Sequence, residues 1–450
     1  MKKTYVTDMT VGKPLGLLVS FMLPLLIGNI FQQLYNMVDS IIVGQYVGAD
    51  ALAAVGATGS LNFLIFSLCG GMANGTGVVI SQHFGAGKND QVKNTIINAA
   101  YIMLFCAVLM GGIGVIFARK ILIFLNTPDN ILDSSTLYMT IICCGILGVS
   151  LYNAVSAILR AVGDSKTPLY FLILAAGLNI VLDLVFIIVF HFGAPGAAWA
   201  TVISQGVSGL LCLIYIRKRV PELRMDREDW RFDPNIAKKQ ISVGIPMGLQ
   251  YSITAIGTMM VQSSLNILGS SAVAAFTAGS KIENIFTQAF VALGTTMSTY
   301  NAQNIGARQL DRVRRGFRAA DVIGCIYAVA VGFILFYAGK YFSYLFISDN
   351  ADVVIPMVDV YLQCVGMFMI PLYVVNCYRN GFQGMGYGLL PMLSGVAELF
   401  GRGVMAIVAA HKQSYRMACM ASPFAWIVAT ALLILLYFYV MKDMKKKLCL

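Results

Sequence analysis

Twelve apolar runs, each long enough to cross a bilayer, constrain this chain more than any other feature. They fall at about 14–44, 52–82, 95–118, 137–160, 168–190, 196–216, 241–267, 271–302, 318–338, 358–380, 389–411 and 415–441. A helix needs roughly 20 apolar residues to span hydrocarbon, and inside lipid every backbone N–H and C=O must be satisfied within the segment. The runs therefore predict an all-α polytopic membrane protein. Composition agrees: mean hydropathy is +0.75, and only 12% of residues are charged, against about 25% in a soluble chain. Pro24, Pro371 and Pro391 mark expected kinks.

The basic residues set the orientation. Of the 32 Lys and Arg residues, 25 fall in loops on the side of the N-terminus and 5 in the opposite loops, with Lys281 and Arg402 left inside spans. Arg379 is counted with the loops, as are Lys2, Lys3 and Arg227. The positive-inside rule then places both termini in the cytoplasm. Topology explains the net charge of +11 without a nucleic-acid partner. The ten cysteines have no zinc or disulfide spacing and read as small buried side chains.

The chain is duplicated. "SQHFGAGKNDQV" (Ser81–Val92) precedes "AQNIGARQLDRV" (Ala302–Val313) by 221 residues, and Pro24 aligns with Pro246 with one residue of slip. Each half holds six runs, so both halves face the same way: two six-helix lobes related as parallel repeats, an arrangement of secondary transporters. The expected boundaries are 1–216 for the N-lobe, 217–240 for a cytoplasmic linker and 241–450 for the C-lobe.

Energy from ATP is not expected. "GAGK" at Gly85–Lys88 lacks the first Gly and the Ser or Thr of a phosphate-binding loop. With three histidines near span ends and no nucleophile elbow, enzyme chemistry has little to work with. Neither an enzyme nor a cofactor is expected. The gradient of an ion, H⁺ or Na⁺, remains as the source of work.

Polar groups inside the spans are the candidate site. Gln32, Tyr35, Asn36 and Asp39 lie at i, i+3, i+4 and i+7 and form one helix face. Asn179 and Asp183 are four apart in the fifth run, Thr201 and Gln205 four apart in the sixth, and Asn153 stands in the fourth. Together they can line a cavity with two carboxylates and several neutral oxygens. Such a cavity suits a proton relay, or a hard cation such as Na⁺. The competing structural reading is that Asp39 and Asp183 only hold helices together by hydrogen bonds. In the second half, Glu398 and Arg402 are four apart and read as a structural ion pair. Glu283 is a candidate for a cationic substrate.

At these residues the chain resembles the multidrug and toxic compound extrusion (MATE) family. The matching segments are "YNMVDSIIVG", "ALAAVG", "SQHFGAG", "ILRAVGDSKTP", "LNIVLD" and "GAAWATVISQ" in the first half, with "AVAAF" and "AQNIGA" in the second. The resemblance implies the twelve-helix MATE fold and export of cationic amphiphilic drugs or dyes in exchange for H⁺ or Na⁺ across a bacterial inner membrane. By motif, Asp39, Asn179, Asp183 and Thr201 look like the cation site of the DinF-like, MepA-like branch, and Pro24 looks like its bending proline. Thr254 and Leu372 stand where the NorM branch carries acids, which argues against coupling in the C-lobe. Two alternatives are a lipid-linked sugar or cell-wall precursor flippase of the same superfamily and, further off, a membrane-embedded transferase.

Overall fold

A computed structural model describes residues 6–125, 127–220, 223–225, 229–344 and 351–449. Lys2, Lys3 and Arg227 of the loop count lie outside them. The described residues form helices and short connections, in the order α1 (Pro14–Tyr46), α2 (Ala49–Ala57), α3 (Gly59–Gly85), α4 (Asn89–Phe124), α5 (Asp129–Cys144), α6 (Ile146–Ala161), α7 (Lys166–Asp183), a π-helical segment (Leu184–Val189), α8 (Ala194–Arg219), α9 (Pro234–Ile267), α10 (Ser270–Gly306), α11 (Leu310–Ser343), α12 (Ala351–Gly366), α13 (Met369–Gly384), α14 (Leu389–Lys412), α15 (Tyr415–Cys419) and α16 (Ala421–Lys447).

These helices cover all twelve runs. Among the described residues, eight helical segments are long and apolar enough to cross a membrane, or ten when two bent pairs each count as one span. The other two runs are α9 and α10, of 34 and 37 residues. They are long enough, but Gln, Ser, Thr and Asn dilute their apolar character. Large apolar side chains such as Phe105, Ile116, Phe333 and Leu435 stay exposed, as lipid-facing surfaces require.

Four runs are not single helices; in the last of the chain, Met420 parts α15 from α16. One breaks at Thr58, whose Oγ1 donates to the Val55 carbonyl at 2.7 Å. The α5–α6 pair bends by 48° at Gly145, and the α12–α13 pair by 54° at Met367–Phe368. The second bend comes just before Pro371, which sits in the first turn of α13, where its missing N–H costs nothing. Pro391 likewise opens α14 rather than kinking it. Pro24 and Pro246 are different: both lie inside long helices.

The compact units cross the lobes drawn from the repeat. One unit is Met1–Asp8 with Ile27–Gly248; the other is Met9–Leu26 with Leu249–Leu450. One boundary, Asp8–Met9, precedes α1; the other two fall inside α1 and α9, each within three residues of a proline. Local contacts explain both crossings. In the second unit, Met9 N–H donates to Gln303 Oε1 at 2.9 Å, Arg312 Nη1 donates to the Gly12 carbonyl at 2.9 Å, and Leu18 and Phe21 join the core of Tyr300, Tyr361 and Phe317. In the first unit, Gln240 donates to the Thr95 carbonyl at 2.9 Å and the Asp233 N–H to Asn98 at 3.0 Å.

Glycines bring α3 and the first half of α9 backbone to backbone. A Cβ on Gly71 would overlap Gly248, and one on Gly75 would overlap Gly244. Two facing small-xxx-small pairs thus replace side-chain packing with direct main-chain approach. We predict that Gly75→Ala forces the helices apart and costs about 1–3 kcal/mol. Gly177→Ala, where a Cβ meets nothing within 4 Å, should be neutral or slightly stabilising. Thermal unfolding of both variants in detergent checks the contrast.

Candidate functional site

The polar residues of the first unit gather where α1, α5, α7 and α8 meet. Ile42 and Val43 of α1, Tyr138 and Ile142 of α5, Ile187 of the π segment, and Ala197 and Ala198 of α8 form one apolar cluster there, with Val38, Ile180 and Val202 packed on it. Asp39, Asn179 and Thr201 each sit next in sequence to one of these packing residues. Small residues on α8 let the other helices approach closely, and the polar side chains are carried into an otherwise apolar contact.

Asp39 and Asp183 interact directly in this setting. Asp183 is fully buried and Asn179 nearly so, while Asp39 is half-buried. Yet both Asp183 oxygens, Asp39 Oδ1 and both side-chain atoms of Asn179 have no hydrogen-bond partner of ordinary geometry. Unpartnered buried groups of this kind cost about 1–3 kcal/mol each, more when charged.

Asp183 ends α7, and the chain passes at once into the π-helical segment Leu184–Val189. Such widened turns recur at functional sites, since the extra residue frees a side chain from the regular helix register. The Tyr35 hydroxyl lies within hydrogen-bonding reach of Gln205 and Gln32 and in electrostatic range of both aspartates. Tyr138 of α5 senses the same two carboxyls and Tyr35. Tyr138 is absent from the sequence-derived set: it is one aromatic at the start of an apolar run, followed one turn on by Ile141 and Ile142.

The other expected residues lie on α6, α1 and α8. Asn153 of α6 donates to its own helix, to the Val149 carbonyl at 2.9 Å. Asn36 is exposed, one residue round the helix from Tyr35. Thr201 is half-buried on α8, one turn before Gln205.

The second unit holds a contrasting cluster. Arg402 pairs with Glu398 at 3.2 Å, as the spacing predicts, but Glu398 also takes Arg379 of α13. Arg379 is 8% exposed, so its assignment to a loop is corrected: it stands in the last turns of a helix and is buried against α14, its Nε also donating to Ser394 at 2.8 Å. Glu283 is bonded by the Tyr361 hydroxyl and lies in the field of Arg402. A carboxylate so engaged is a poor receptor for a substrate cation. Arg402 packs over Gly257, and its Nε and Nη1 have no partner. Nearby, Gln383 donates to Gln250 at 2.8 Å.

A model of the MatE family matches residues 24–185 and again 246–408. The two matches begin at Pro24 and Pro246, so the duplication read from the sequence is the family's own. The chain belongs to the MATE family. Its members are transporters rather than enzymes and need no cofactor. The chain is 34% identical over 394 residues to the probable multidrug resistance protein YpnP of Bacillus subtilis, covering 86% of each. It is 22% identical to the multidrug export protein MepA of Staphylococcus haemolyticus, covering 87% of this chain and 83% of that protein. The outward-facing conformation of a multidrug resistance MATE family transporter of the MOP superfamily superposes with a TM-score of 0.93 over 99% of this chain and all of the other, at 23% identity. That likeness fixes the fold: the twelve-helix MATE arrangement. The protein is a multi-pass MATE membrane transporter.

Charge pairing in the second unit makes a prediction. Glu398→Gln removes the carboxylate that both buried guanidiniums pair with and should cost about 3–5 kcal/mol. Arg402→Gln should cost clearly less, because Glu398 keeps Arg379. Unfolding temperatures of the two purified variants rank them.

Proposed function

We propose that this chain is an antiporter that exports cationic amphiphilic compounds in exchange for H⁺ or Na⁺ moving down its inward gradient. The coupling pair is Asp39 and Asp183, with Asn179 and Thr201 completing the oxygen set. The observation that carries this reading is the direct adjacency of two carboxyls, one fully buried and one half-buried, with no cation among their partners. Two carboxylates side by side in a low-dielectric site repel each other, and one proton or one small cation relieves the repulsion. The neighbouring neutral donors, Tyr35, Gln205, Gln32 and Tyr138, suit a ligand that comes and goes. Asn36 and Asn153 complete the substrate-contacting set read from the sequence, and Glu283 has the weakest claim in it. The relatives described as multidrug resistance or multidrug export proteins support drugs or dyes as cargo.

The membrane is taken to be a bacterial inner membrane, with both termini cytoplasmic, from the distribution of Lys and Arg. A flippase for lipid-linked anions would need uncompensated cations. The unpartnered edge of Arg402 favours it, but in that buried cluster Arg379 and Arg402 are matched in number by Glu283 and Glu398. Hence the antiporter reading is preferred.

Purified protein in vesicles, given a Na⁺ or a H⁺ gradient separately, tests the proposal. Asp39→Asn and Asp183→Asn should each reduce gradient-driven dye export at least tenfold while the protein stays folded and inserted. Normal export by both variants would sink the coupling role.

Pro24 interrupts the hydrogen-bond ladder of α1 about 22 Å from Asp39 at 1.5 Å per residue. Occupancy at Asp39 can bias the bend only through different affinities for its two forms. Pro24→Ala should therefore slow turnover several-fold with dye affinity largely kept, as read by transport rate and equilibrium binding on one preparation. Weakened binding with unchanged transport would contradict the hinge.

A further inference from the structure

The last turns of α8 carry charge that the coupling site does not use. Arg217, Lys218 and Arg219 close this helix. Beside them lies a cavity of about 980 Å³ whose lining includes Leu213, Ile214, Arg217, Lys218, Arg224 and Trp230. Its two sides differ in chemistry. Leu213 and Ile214 are exposed aliphatic side chains on a membrane-crossing helix. One turn further on stand Arg217 and Lys218, both exposed. Arg224 folds back onto them: its Nε donates to the Arg217 carbonyl at 3.0 Å. Among the described residues, none of these three cations forms an ion pair with an acid.

Aromatic side chains mark the depth. Trp230 is 52% exposed and meets Tyr101 edge-on at 6.0 Å, and Phe232 meets the same ring at 6.2 Å. Trp and Tyr gather at the level of lipid headgroups. Aliphatic wall, aromatic flank and cation cluster thus follow the order of acyl chain, interface and phosphate in a phospholipid. Free phosphate would use the cations and gain nothing from Leu213 and Ile214. A lipid of zero net charge would use the wall and gain little from three cations.

We propose that this groove binds an anionic phospholipid, with its phosphate on Arg217, Lys218 and Arg224 and one chain along Leu213 and Ile214. Basic clusters directly beside a membrane helix draw anionic headgroups in this way. The site occupies the point where the linker leaves α8, and it owes nothing to Asp39 or Asp183.

Trp230 is its own reporter. The chain has three tryptophans, so Trp199→Phe with Trp426→Phe leaves Trp230 alone. The purified full chain in mixed micelles is titrated with brominated phosphatidylglycerol or brominated phosphatidylcholine, and quenching is followed. Phosphatidylglycerol should half-quench at about a tenfold lower mole fraction. Arg217→Gln, Lys218→Gln and Arg224→Gln together should erase that preference, and inorganic phosphate should not displace the lipid. Equal quenching by both lipids, an unchanged preference in the triple variant, or displacement by phosphate alone would each overturn the proposal. Should the triple variant not fold, the parent decides: raising the salt from low to high must remove the preference, and a salt-independent preference counts against the site.

Discussion

A charge held inside hydrocarbon has to meet its opposite, and the chain answers that demand in two ways. In the second unit, Glu398 sits between Arg379 and Arg402 while Glu283 is tied to Tyr361. Opposite signs balance there, and removing one partner strands another. In the first unit the balance is left open. Asp39 and Asp183 have only each other and neutral neighbours. A buried ion pair can often be replaced by apolar residues at little cost. Two carboxyls side by side cannot both ionise there without a cation, and the proposed coupling role rests on that. The duplication makes the contrast sharper, because two copies of one plan have come to hold charge in opposite fashions.

Packing in lipid follows from a second constraint. Apolar side chains gain little by leaving apolar lipid, so helices hold together through close van der Waals approach and polar contacts. Gly71 and Gly75 against Gly244 and Gly248 are the clearest instance. They anchor the first half of α9 to the first unit, while Met9, Leu18 and Phe21 anchor the start of α1 to the second. Two helices therefore belong to both units, and in each the change of allegiance comes beside a proline.

Much of the fold was legible because a bilayer demands length and hydropathy, both of which a sequence displays directly. The twelve runs, the duplication and the polar faces of α1 and α7 came from spacing alone. The breaks at Thr58, Gly145 and Met367–Phe368 did not, since a helix can stop and restart without a change in hydropathy. Arg379 was misplaced because it stands near the end of its run, where an arginine reads as loop. Its burial depends on Glu398 and Ser394, which lie on another helix. The unit boundaries were hidden for a similar reason: a repeat records ancestry, whereas compactness records contacts. Tyr138 and the π turn after Asp183 leave no periodic trace, and only the meeting of four helices gives them meaning.

The shared helices also bear on how a local event becomes a change of shape. In the proposed cycle, a proton or cation at the Asp39–Asp183 pair alters one face of α1. The residues before Ile27 on that helix pack in the other unit, held by Gln303 and Arg312 through the backbone of Met9 and Gly12. A straight helix would transmit the change rigidly. In the proposed hinge, a helix missing one hydrogen bond at Pro24 takes a straight and a bent form, and a difference in ion affinity between the two shifts their populations. The coupling then needs no chain of contacts from the site to distant loops. It requires one bistable element that both the ion and the packing of its first turns bias, and α1 is the helix on which the two meet.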